Sequence, residues 1–172
     1  MVYEVDRKWQ AHGLTCAVVA TDMGHRCGYV GVPKSHPLYG KGCDDIMPDV
    51  KKSDLGEEPM GDRSPMSVFF AAGDGEDVRL DLYFDVHGSL TYSGDGDKGY
   101  PIKAPIWWFG FDCAHAGDNK DPGILKRFHK NDLYSWDDPN GVIWGEEYVV
   151  HQCEKLAEQL AKFGEITDRG ER

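Results

Sequence analysis

A chain of 172 residues, 40% hydrophobic and 12% aromatic, has the size and composition of one ordinary folded domain rather than of a disordered tail. Its 30 Asp and Glu against 19 Lys and Arg leave a formal charge of −11, a field that repels long polyanions and argues against nonspecific duplex binding. No apolar run is long enough to span a membrane, and the start, MVYEVDRKW, lacks the basic-then-apolar layout of a secretion signal.

Five cysteines, an odd number with no framework of spacings, point to free or metal-bound thiols in a reducing cytoplasm. In chain order, Val2 to Val5, Leu14 to Ala20 and Tyr29 to Val32 read as strands, the last ended by Pro33. Pro33 to Pro65 is rich in Gly, Pro and Asp, and so long an irregular stretch is expected to be functional or solvated. Its first part, Pro33 to Asp45, carries the aromatic and basic residues that would order it near a ligand. Residues 46–65 read as a solvated insertion.

From Val78 to Val86, apolar Val78, Leu80, Leu82, Phe84 and Val86 alternate with Arg79, Asp81, Tyr83 and Asp85, which predicts a strand with one buried face. Ser89 to Tyr92 reads as a short strand and Ser93 to Gly99 as a turn. Pro105 to Cys113, aromatic on both faces, predicts a central strand, and Gly110 within it a close backbone approach. Asp121-Pro122 starts a short helix over Gly123 to Lys130. Val149, Cys153, Leu156, Leu160 and Phe163 recur at helical spacing, and Gly164 is the expected stop. The sum is a single α+β domain over residues 1–164: a mixed, mostly antiparallel sheet, a C-terminal amphipathic helix, a long ligand-proximal loop, and a polar tail at 165–172.

Three segments place reactive side chains beside glycines: His36 to Lys41, Val86 to Gly88 with Thr91 and Tyr92 beyond, and Asp112 to Asp118. Glycine there lets backbone N–H groups approach a ligand. His87 and His115 are candidates for a general acid–base pair, since imidazole titrates near neutral pH. His36, Tyr39, Lys41, Thr91, Tyr92, Asp112 and Asp118 are candidates for binding a phosphate-bearing ligand or orienting an imidazole. Trp136 and Trp144 are candidates for stacking on a base.

No cofactor is demanded, but a divalent metal fits a second reading, in which Asp112, His115 and Asp118, spaced by three, join His87 as oxygen and nitrogen ligands. A third reading assembles zinc from His25, Cys27, Cys113 and His115. A fourth makes Cys113 a nucleophile beside His115, set against the ordinary burial of free cysteine.

GYVGVPKSHPLYGK, VHGSLTYSG and WWFGFDCAHAGD, followed by the closing amphipathic helix, resemble a family of small accessory proteins carried by phages and prophages, over about His25 to Leu160. Ser89 stands where the family pattern has a second glycine. The resemblance implies residence in the host-cell cytoplasm and a role against host defence, acting on an immune signal of the cyclic oligonucleotide or cyclic ADP-ribose type. The expected function is therefore phosphodiester cleavage of such a nucleotide. The alternatives are a sponge that sequesters it as a homo-oligomer, and a protein–protein inhibitor of a host factor. Neither duplex nucleic acid nor a membrane is an expected partner.

Overall fold

The computed structural model describes residues 1–55, 75–129 and 138–170. Five strands form one sheet in the order β1-β2-β3-β7-β6: β1 (Tyr3–Ala11), β2 (Leu14–Thr21), β3 (Arg26–Val32), β7 (Trp107–Asp112) and β6 (Tyr92–Asp95). Every pairing in it is antiparallel. A separate two-stranded ribbon pairs β4 (Ile46–Lys51) with β5 (Asp77–Arg79). The helices are a single turn α1 (Leu80–Tyr83), α2 (Pro122–Arg127) and the long α3 (Glu146–Gly170).

Strand β1 runs well beyond Val5. Its outer residues, including Glu4, Lys8 and Gln10, are polar because it is a sheet edge, where charge discourages pairing with other chains. An edge strand of this kind lacks the apolar alternation that marks a buried one. The turn His12-Gly13, both residues at positive φ, closes the β1–β2 hairpin in the sense that matches strand twist.

Strand β7 is central, as its two-sided aromatics predict: Trp108, Phe109 and Phe111 are all buried. The sheet therefore has two covered faces. Cys16, Val18, Val30, Phe109 and Phe111 meet Cys153, Leu156 and Leu160 of α3 on one. Ala17, Val19, Cys27, Tyr29 and Trp108 meet Tyr3, Tyr92, Tyr100 and Ile106 on the other. At Gly110 a Cβ would stand 2.5 Å from the Tyr29 ring, so this face closes only over a residue without a side chain.

The expected strand over Val78 to Val86 is corrected. The chain leaves β5 at Arg79, makes the turn of α1 and then runs beside α3. Val78, Leu80, Phe84 and Val86 are buried all the same. The alternation reported burial, but not a ladder. Backbone groups that a neighbouring strand would have satisfied are met instead by helix side chains. Gln159 accepts from Asp85 N–H at 2.9 Å and donates to its carbonyl at 2.8 Å, and Gln152 accepts from His87 N–H at 3.0 Å.

Three further boundaries differ from expectation. Ser93 to Gly99 is not all turn, since β6 extends to Asp95. Residues 46–51 form β4 rather than loop. Helix α3 continues past Gly164 to Gly170. Lys52–Leu55 of the expected insertion form a 3-10 turn, and 56–65 lie outside the described residues, as does Trp136.

Candidate functional site

The site is built at the C-terminal end of β7. Beyond Asp112 the chain turns through Cys113 to Asp118, and residues 117–119 pair with Val142, which draws Trp144 and the first turn of α3 over the loop. The segment held along α3 by Gln152 delivers His87 to the same place. Its exit is a tight turn in which Ser89 N–H donates to the His87 carbonyl at 2.8 Å across Gly88, at φ +70°. Ser89 itself takes φ +136°, a region that favours glycine.

Asp118 is the hub. Its side chain is 6% exposed. Oδ1 accepts the Trp144 indole N–H at 2.6 Å, and Oδ2 accepts the His115 backbone N–H at 2.8 Å and His87 Nε2 at 3.0 Å. Burial alone would raise its pKa. The hydrogen bonds from His87, Trp144 and His115 outweigh that and hold it below the usual carboxylate value. An ionised Asp118 makes His87 Nε2 a donor, and His87 Nδ1 shares a hydrogen bond of 3.0 Å with the Tyr148 hydroxyl. Both ring nitrogens are thereby hydrogen-bonded.

His115 differs. Its ring, about a third exposed, lies 5.5 Å from that of His87 between centroids. Its Nδ1 is buried with no hydrogen-bond partner, 3.5 Å from Asp118 Oδ2 and 3.9 Å from Asp112 Oδ1. Donor atoms of His87, His115 and Asp118 lie within 4.8 Å of one another. Bonds of about 2.0–2.1 Å from one ion to imidazole and carboxylate put neighbouring ligand atoms roughly 3.0–3.4 Å apart, close to the observed 3.0 and 3.5 Å separations. Two of the three separations in the trio are thus compatible with ligands of one divalent cation. The Tyr148 hydroxyl can donate to His87 Nδ1 or accept from Nδ1–H, so it can hold the ring in either tautomer.

Asp112 stands just outside the trio. Its Oδ2 accepts the Thr91 hydroxyl at 2.7 Å and its Oδ1 the Ala114 N–H at 3.1 Å. It also lines a cleft of about 450 Å³ on the tyrosine-covered face, together with Thr91, Tyr92, Tyr100 and His25.

The expected residues thus separate into three places. His87, His115 and Asp118 converge. Thr91, Tyr92 and Asp112 meet at the adjoining cleft. His36, Tyr39 and Lys41 go elsewhere, which corrects their expected place beside the histidines. His36 is buried at the far part of α3, where Nε2 donates to the Leu160 carbonyl at 2.9 Å and Nδ1 accepts Leu38 N–H at 3.2 Å. Leu160 is eight residues, or about 12 Å of helix, from Gln152. Tyr39 packs against Trp107, whose indole donates to the Lys41 carbonyl at 2.9 Å. Trp107 is at the opposite end of β7 from Asp112, about 17 Å along a strand.

Trp144 is no open stacking platform, since it stacks on Tyr148 with centroids 4.0 Å apart. The Cys–His zinc set does not gather among the described residues. Cys113 is 2% exposed and burial pushes its thiol pKa upward, which opposes a nucleophilic role, while Cys27 is pushed up to about 11. All five cysteines are free. Tyr148, Gln152 and Trp144 give the cluster its geometry without having been marked as part of it. Gln152 and Tyr148 are four apart on α3, so a polar pair bordering its apolar stripe was the available signal.

Fold and site together define an α+β protein: an antiparallel sheet backed by one long helix, with a histidine–carboxylate cluster at the end of the interior strand β7. No family model matches the chain, and no curated protein or solved structure is found to be similar to it. No helix among the described residues is long and apolar enough to cross a membrane.

Proposed function

We propose that the protein is a metal-assisted hydrolase that cuts a phosphodiester bond in a small nucleotide, with His87, His115 and Asp118 as the ligands of one divalent cation. The observation that carries this reading is the meeting of the three donors around a buried, unpaired His115 Nδ1. A polar atom so placed costs free energy unless something occupies its lone pair or takes its proton. Two carboxylates beside two imidazoles favour a cation over a phosphate bound directly. Arg26, the nearby guanidinium, is already paired with Asp121 at 2.7 Å and with Asp6 at 3.3 Å.

When bound, a divalent cation supplies Lewis-acid charge for a phosphoryl oxygen and acidifies water. The chain's own residues prepare the place. Asp118, kept ionised by its three donors, supplies the negative charge. Tyr148 fixes the rotation of His87, and the Gly88 turn fixes that of His115. Asp112 stands 3.9 Å from His115 as the nearest further carboxylate, able to take a proton during turnover. The family resemblance adds the context of a phage protein acting on a cyclic oligonucleotide or cyclic ADP-ribose signal in the host cytoplasm.

Calorimetric titration of chelator-treated protein with Mn²⁺ and with Zn²⁺ tests the site. One ion per chain is expected, with affinity lowered at least 10-fold in His115→Ala. Cleavage is then read with bis(p-nitrophenyl) phosphate and by mass spectrometry on cyclic dinucleotides, with and without EDTA. Absence of metal binding, or cleavage unaffected by EDTA, sinks the reading. Metal binding with intact ligand released on heating leaves sequestration instead.

A further inference from the structure

The cleft on the tyrosine-covered face belongs to neither the helix-packed core nor the metal-type cluster, yet it touches the cluster through Asp112. Its walls include Tyr92, Tyr100, His25 and Asp112, and its rim carries Met1 and Met23. The two methionines are 74% and 60% exposed, an unusual outlay of apolar side chain on so acidic a protein. Polarisable thioethers and aromatic rings favour a flat, polarisable ligand. The volume of about 450 Å³ falls in the range of pockets for small organic molecules.

The polar groups narrow the choice. Among the described residues, Asp112 is the only Asp, Glu, Lys or Arg lining the cleft. A carboxylate offers about four acceptor positions, and the Thr91 hydroxyl and Ala114 N–H use two of them. The remainder call for N–H donors on the ligand. His25 adds an imidazole to the lining. Among the described residues no lysine or arginine side chain lines the cleft, so a phosphate finds no side-chain ammonium or guanidinium there, and an anionic ring is opposed by Asp112. A neutral heteroaromatic ring with amino or ring N–H donors satisfies each condition.

We infer that this cleft is a nucleobase subsite, which takes the base of the substrate by apolar and ring contacts from Met23 and Tyr92 and by hydrogen bonds to Asp112. The inference rests on the hydrolytic reading and deepens it: Asp112, a wall of the cleft, is 3.9 Å from His115, so the subsite adjoins the cluster. The chain then separates two tasks, base recognition on the tyrosine face and phosphodiester chemistry at the end of β7.

The test uses nucleosides, which carry no phosphate, on the full chain in the presence of EDTA, so it depends on neither a cation nor catalysis. With ¹³C-methyl methionine labelling, adenosine and guanosine are titrated and the Met23 methyl resonance is followed. Met47, 2% exposed in the core, serves as the internal control. A saturable shift at Met23 with none at Met47, reduced at least 5-fold in affinity by Asp112→Ala, is expected from one or both nucleosides. Ribose 5-phosphate should leave Met23 unmoved. Failure of both nucleosides at millimolar concentration, or an equal response to ribose 5-phosphate, overturns the subsite. Nucleoside binding is read without metal and metal binding is read without nucleoside, so failure of the base subsite and failure of the hydrolytic reading register in separate measurements.

Discussion

A Cβ on residue 88 would stand 2.2 Å from Cε1 of His115, so the imidazole rests directly on the Gly88 backbone. The same glycine has φ +70°, at the centre of the turn that releases the chain from His87. One residue therefore sets both histidines. Gly88→Ala must strain the backbone, at about 1–2 kcal/mol, and displace His115. Urea denaturation should show a loss of about 2 kcal/mol or more, and metal titration should show weakened binding. Unchanged binding would remove His115 from the ligand set.

Tyr148 reaches the cluster through the bond of its hydroxyl to His87 and through its stacking on Trp144. Tyr148→Phe keeps the ring that stacks on Trp144 and deletes the hydroxyl 3.0 Å from His87 Nδ1. Loss of such an orienting partner typically costs 10- to 100-fold in metal affinity. That fall is expected in calorimetry, with the circular dichroism spectrum unaltered. An affinity equal to that of the wild type would show that His87 needs no outer support.

Asp118 links the cluster to acid stability. Its folded pKa is depressed, so the stability it contributes is present above the unfolded value of about 3.9 and is lost as pH falls below that toward the folded value. Asp118→Asn should be less stable than the wild type at pH 7 in urea melts, and the gap should narrow below about pH 4. A gap independent of pH would mean that the carboxylate charge contributes nothing to folding.

His36 titrates in a different window. Burial lowers its folded pKa, while the bond to the Leu160 carbonyl partly opposes the shift. A depressed folded pKa means stability that is present above the unfolded value, about 6.5, and lost as pH falls below it. His36→Asn should cost about 1–3 kcal/mol at pH 7.5 by leaving buried groups unpaired. It should also shrink the stability loss between pH 7.5 and 5.5, with the lowered His25 supplying the remainder. Metal affinity should not change. A changed affinity would return His36 to the site.

Local pattern carried much of this structure. The stripe from Val149 to Phe163, the two-sided aromatic run of β7 and the Asp121-Pro122 start of α2 are each written in consecutive residues, and each has its expected form. These signals are legible because helix and strand periods follow from backbone geometry alone. The glycine-flanked motifs also named His87, His115 and Asp118.

What lay beyond the sequence was which motifs meet. HPLYGK and VHG look equally reactive, but His36 joins the far part of α3 while His87 reaches Asp118, because Leu160 and Gln152 are some 12 Å apart on one rigid helix. Nor could alternation from Val78 to Val86 tell a sheet ladder from a segment held by Gln152 and Gln159, since period two reports which residues are buried and not what satisfies the backbone between them. Burial is a property of one stretch of chain. Convergence depends on the path of every element between two stretches, and here only the packing of α3 across the sheet decides it.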